Sequence, residues 1–237
     1  MAEYNTNIFK SDLDVLGINL TEKQIEQFLK YYELFVEWNS FMNLTAITDF
    51  DEVCKKHFVD SVSLIKVMDL SKEISVIDIG TGAGFPGIPL KIAFPELKIT
   101  LLDSLGKRVN FLNTVINELG LKGITAIHAR AEDGGRDKKL REKFDCVTAR
   151  AVAPMNILLE YCMPFVKKDG VFIAMKGASE EDCFESALKE LSGSVISEDV
   201  FNLPESDFTR RIICIKKTNF LSTKYPRKAG IPKKNPL

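Results

Sequence analysis

The stretch SVIDIGTGAGFPGIPL, Ser75 to Leu90, sets Asp78 two residues ahead of four closely spaced glycines, Gly80, Gly82, Gly84 and Gly87. Glycines at this density let a backbone turn come close to a ligand. Read from Gly82, the spacing Gly82-x-Gly84-x-x-Gly87 fits a dinucleotide fingerprint, with Asp103 about twenty residues on to hold a ribose. Read from Asp78, the run Asp78-x-Gly80-x-Gly82-x-Gly84 puts a negative charge where a dinucleotide brings its pyrophosphate, which is repulsive. A cofactor with an ammonium group and a sulfonium centre, such as S-adenosylmethionine (SAM), meets an attractive carboxylate there instead. Asp103 serves either cofactor.

Further candidates fall where later strands should end. Ala131 and Glu132, in ARAED, suit an adenine contact, although two acids beside a helix N-terminus also explain the pattern. Arg150, in VTARAVAP, cannot act as a base but can orient a cofactor or a nucleic-acid group. No [DN]PP[FY] motif for exocyclic amines and no Pro-Cys pair for a cytosine C5 adduct stands there, and Cys146 reads as a small core residue. His57 is either a brace or part of an acceptor mouth with Asn39, Asn43, Thr45, Asp60 and Ser61; His128 reads as structural. With no acid/base pair at the strand ends, the chemistry expected is alignment of reactants.

The elements that must position these groups follow from periodicity. Residues 21–39 and 50–68 carry apolar side chains at helical spacing, the first opened by a Thr21/Gln24 capping box. From Ser75 short β-branched runs alternate with amphipathic segments, which predicts strands at 75–80, 98–103, 124–129, 144–149 and 170–176. Helices are expected near 87–94, 106–119, 131–143, 153–168 and 179–192. Two last strands, 194–203 and 210–217, leave no room for a crossover helix and must form an antiparallel hairpin. The class is therefore α/β, a mostly parallel sheet closed by a C-terminal antiparallel hairpin behind N-terminal helices. That hairpin argues against a wholly parallel dinucleotide-binding sheet.

No apolar run suits a membrane span, and five scattered cysteines with two histidines argue against a disulfide framework or a metal site. A cytoplasmic, monomeric globular enzyme is the expectation. The chain divides into a helical extension (1–70), a main domain (71–217) and a basic tail (218–237). No acidic residue follows Asp207, while nine lysines and arginines do, so the near-neutral net charge of −1 hides an acidic body with a basic end. Such asymmetry suits a polyanionic partner or a solubilising tail.

The segments WNSFMNLTAIT, KHFVDSVSL, VIDIGTGAGFPGIPL, LLDSLGKRVNFL, ARAED, ARAVAP and YPRKAGIPKKNPL occur in this order over nearly the whole chain. Together they resemble the glucose-inhibited division protein B family, bacterial 16S rRNA (guanine-N7) methyltransferases with a class I SAM-dependent, Rossmann-like fold. The resemblance implies SAM as cofactor and a guanine in the decoding region of 16S rRNA, naked or in the small ribosomal subunit, as acceptor. It implies cofactor contact at Gly80, Phe85, Ala131, Glu132 and Arg150, supported by Asp78, Gly82, Gly84 and Asp103. Lys176, Arg211, Arg227 and Lys228 are the candidates for RNA contact, with Arg150. A small-molecule methyltransferase and a nicotinamide oxidoreductase remain the alternatives.

Overall fold

The computed structural model describes residues 4–177 and 183–237. Its centre is one seven-stranded sheet in the order β3-β2-β1-β4-β5-β7-β6. The strands are β1 (Ser75–Ile79), β2 (Lys98–Asp103), β3 (Ile124–His128), β4 (Phe144–Arg150), β5 (Val166–Gly177), β6 (Gly193–Asn202) and β7 (Thr209–Lys217). The first five run parallel, and β7 lies antiparallel between β5 and β6. The expected hairpin is present, and its second strand, not its first, joins the parallel sheet. Chain order reverses between β1 and β4, the point at which open α/β sheets hold ligands beyond their strand ends.

Helices cover both faces. On one side α1 (Asn7–Val15), α2 (Glu22–Met42), α5 (Gly87–Ala93) and α6 (Gly106–Glu118) share a core in which Phe28, Phe58, Ile88 and Phe111 are buried together. The Thr21/Gln24 capping box forms as expected, and Gln24 Nε2 also donates to the Ile92 carbonyl at 2.7 Å, tying α2 to α5. On the other side α8 (Met155–Cys162) and α9 (Glu185–Glu190) pack with Leu221 and Tyr225 of the C-terminal segment. Among the described residues no helix is long and apolar enough to cross a membrane.

Several helices differ from expectation. The helix expected over 50–68 is four short pieces: α3 (Phe50–Val53), a π-helical segment (Cys54–Val59), α4 (Asp60–Val62) and a 3-10 turn (Ser63–Lys66). The helix expected over 131–143 stops after α7 (Ala131–Gly134), at two glycines so closely packed that a Cβ would lie 2.9 Å from Leu102 at Gly134 and 3.0 Å from Pro164 and Pro226 at Gly135. That over 153–168 is α8 alone, since Pro164 interrupts it and β5 begins at Val166. The expected helix over 179–192 begins outside the described residues, and its described part is α9. Helix α1 went unforeseen.

Candidate active site

Beyond the carboxyl ends of β1 and β2 the glycine turn is held from below. Asp78 is fully buried at the end of β1; its Oδ2 accepts from the Thr81 hydroxyl at 2.6 Å and from the Gly87 amide at 2.9 Å. Its Oδ1 has no partner among the described residues, and burial pushes the Asp78 carboxyl up to about 6, against those two donors. Asp103, at the end of β2, accepts from the Gly82 amide at 2.9 Å and the Leu105 amide at 2.9 Å. The two carboxylates thus shape the turn from opposite ends. Gly84 has φ +101° and packs so tightly that a Cβ there would lie 2.5 Å from Ile88 and 2.9 Å from the Tyr31 hydroxyl. Gly82, also at positive φ, is loosely packed, a Cβ there meeting only the Gly80 carbonyl at 4.0 Å.

Two cavities meet at this turn, and a third adjoins the second. The first, about 430 Å³, runs over Gly80 between Ile79, Leu102, Ala131, Val152 and Tyr161, with Glu132, Gly230 and Lys233 at one wall. The second, about 220 Å³, covers Gly80 to Ala83 and reaches Phe35, Thr45, His57, Phe85, Arg108 and Arg150. The third, about 330 Å³, shares His57, Arg150 and Ala151 with the second and is bounded by Lys56, Asp60, Lys176 and Arg210. Lys56, Arg150, Lys176 and Arg210 line it with one carboxylate, Asp60, which holds the two arginines, and Glu52 pairs with Lys56 from outside the lining, so the chamber is net cationic.

Arg150 is held on all sides at the junction. Its guanidinium donates to Asp60 Oδ2 at 2.7 Å and to the Lys56 carbonyl at 3.2 Å, and lies 5.1 Å over the Phe85 ring. Arg210 donates to the other Asp60 oxygen at 2.8 Å, so one buried carboxylate fixes two arginines. The His57 ring stacks on Phe85 at 4.8 Å, and its Nδ1 lies 3.4 Å from an Arg150 nitrogen that can only donate. Nδ1 is therefore the acceptor and the proton sits on Nε2, 3.4 Å from the Thr45 hydroxyl. Burial and then the Arg150 charge lower the His57 pKa to about 4, so the ring is neutral near pH 7.

This geometry brings Gly80, Gly82, Ala131, Glu132, Arg150 and Lys176 onto the walls of the joined cavities. Phe85 is mostly buried among Tyr31, Phe35, Phe58 and His57, touching the second cavity only. Arg211 pairs with Glu198 at 2.7 Å and Arg227 with Glu160 at 2.6 Å; neither lines these cavities, nor does the exposed Lys228. Asn39 accepts from the Thr45 amide, Asn43 ends α2 in the left-handed region at φ 52°, and Ser61 donates back to the His57 carbonyl, so these three brace.

The family profile of rRNA small subunit methyltransferase G (GidB) matches residues 24–210. A curated protein named Ribosomal RNA small subunit methyltransferase G, from Acetivibrio thermocellus, is 55% identical over 93% of this chain and 92% of its own length. The chain belongs to this family. A protein of the same name from Oceanobacillus iheyensis is 53% identical over 93% of the chain and 94% of its own length. Among solved structures, a SAM dependent methyltransferase from Aquifex aeolicus superposes with TM-score 0.53 at 18% identity, covering 72% of this chain and 94% of that one. At that identity the likeness speaks for the fold, the class I SAM-dependent methyltransferase architecture.

Family membership does not itself name the lining residues. Lys56, Arg108, Arg210, Tyr161, Gly230 and Lys233 were not anticipated from sequence. Strand parity held a usable signal for one of them: in TRRIICIKK, Arg211 pairs outward with Glu198 while its neighbour Arg210 points at Asp60. Lys56 reaches the third cavity on the π-helical segment, which periodicity does not announce.

Proposed function

We propose that this chain transfers the methyl group of SAM to N7 of a guanine in the decoding region of 16S rRNA, acting as a cytoplasmic monomer on RNA or the small ribosomal subunit. The observation that carries the reading is a cationic chamber that adjoins the cavity over a glycine turn, with a neutral histidine and a clamped arginine shared between the two.

The residues present fit SAM. The first cavity offers apolar walls at Ile79, Leu102 and Val152 for a purine, and Gly80, shared with the second cavity, and Gly82 give backbone walls for the methionyl part. Asp78, with its unpartnered oxygen, supplies negative charge behind that turn, and the two glycines bring no side chain between it and a cation. When bound, SAM supplies an electrophilic methyl group on its sulfonium.

The chain's own part is placement. Guanine N7 has an in-plane lone pair and no proton, so attack needs no general base and alignment lowers the barrier. His57 fits that requirement: it is neutral, holds its proton at Nε2, and is stacked rather than poised as a base. Arg150 lies at the junction, held through one nitrogen by Asp60, where it can donate to O6 of a guanine and leave the N7 lone pair free for the methyl group. Lys56, Lys176 and Arg210 supply positive charge for the phosphates of a splayed RNA loop. Nucleoside mass spectrometry of small-subunit RNA from cells with and without the gene tests this: one 7-methylguanosine should vanish on deletion, and an unchanged content would refute the proposal.

A further inference from the structure

The C-terminal segment is fixed to the main domain along its length. Lys217, fully buried, donates to Glu142 Oε1 at 2.6 Å, and that carboxylate also accepts from the Leu221 amide at 2.8 Å. Arg141 gathers the carbonyls of Leu221, Ser222 and Tyr225 at 2.7 to 3.1 Å. Arg227 then clasps Glu160 of α8 with its Nε and Nη2, while its backbone amide donates to the same carboxylate at 2.7 Å. Three residues later the Gly230 amide donates to Glu132 Oε1 at 2.9 Å.

Glu160 has no exposed surface, so its charge depends on Arg227 for compensation, and Arg227 is committed to it. Glu132 lines the first cavity, and so do Gly230 and Lys233 from the C-terminal segment itself. Gly230 has φ +82°, a conformation suited to glycine, which turns the chain into the cavity wall.

We infer that residues 227–234 form a wall of the purine end of the SAM cavity, and that Glu160 and Arg227 are the positioning pair that holds it there. The inference rests on the SAM reading of that cavity. Cofactor binding and docking of the segment are then reciprocally coupled, because a ligand that contacts only the docked state stabilises it. Arg227 thus serves cofactor affinity, and the RNA contact expected of it from the sequence is not its role. Lysine keeps the charge but not the two-pronged geometry, so it does not substitute.

The test uses the full chain and SAM itself. Backbone amide exchange of the wild type with and without SAM should show Gly230, Lys234 and Asn235 slowing about tenfold together with Gly82. Calorimetric titration should give R227K a SAM Kd about tenfold weaker, with KM for small subunits at saturating SAM within about twofold of wild type. Slowing at Gly82 but not at the C-terminal amides would overturn the inference, as would an R227K variant that binds SAM normally but has a raised KM for RNA. A wild-type chain that gives neither binding heat nor slowing at Gly82 would instead overturn the SAM reading, and the inference with it. The exchange measurement needs no substitution, so it stands even where R227K folds poorly.

Discussion

At the scale of single residues, Asp78 shows how a carboxylate serves two purposes. Its Oδ2 accepts from Thr81 and Gly87 and so sets the glycine turn, while burial raises its pKa to about 6. A raised carboxylate pKa means that stability is full below the ordinary aspartate value of about 4 and declines as pH rises through about 6, since ionisation is resisted. Affinity for a cationic cofactor has the opposite sign, because only the ionised form attracts it. SAM binding followed by calorimetry from pH 5 to 8 should therefore weaken below about 6, by at most about tenfold per pH unit, and D78N should remove the slope. The importance of Asp78 was legible from its place ahead of Gly80; that it works by tying Gly87 back under the turn was not, because the bond spans a loop closure that spacing alone does not fix.

At the scale of elements, the π-helical segment and the start of β7 build the cationic chamber together. They meet through Asp60, which follows that segment, is almost wholly buried, and accepts from Arg150 of β4 and Arg210 of β7. Removing it leaves two half-buried guanidinium groups facing each other, a loss of about 3–5 kcal/mol in stability. D60A should lower the melting temperature and cut methylation of small subunits about a hundredfold, while SAM affinity in the remaining folded protein stays within about threefold. A variant that methylates normally would remove Asp60 from the acceptor site. Capping boxes, β-branched runs and the closing hairpin were readable because each is set by local rules, as at Thr21 and Gln24. The broken helix over 50–68 was not, because Phe58 and Val62 keep a helical apolar spacing through the π-to-α transition. The same limit applies to Arg210 and Arg211, whose facing is decided by pairing with β5 and β6.

At the scale of the whole molecule, charge and architecture separate. The chain is near neutral with a basic end, yet part of that end is spent internally: Lys217 on Glu142 and Arg227 on Glu160. RNA attraction then falls to the local field around the third cavity rather than to net charge. Binding of small-subunit RNA should weaken with salt, and K56Q or R210Q should each reduce the log-log slope by about one, whereas R227Q should leave it unchanged. Composition shows the basic end but could not reveal that the half-buried Glu142, in the turn before β4, and the buried Glu160 of α8 consume part of it.

The transfer to N7 is tested most directly with labelled SAM, purified protein and small subunits reconstituted with 16S rRNA carrying either guanosine or 7-deazaguanosine. Replacing N7 by carbon removes the lone pair that alignment chemistry requires and leaves the rest of the base nearly unchanged. Label should enter the guanosine particle as a single 7-methylguanosine and be absent from the 7-deazaguanosine particle. Equal labelling of both would contradict N7 as the acceptor.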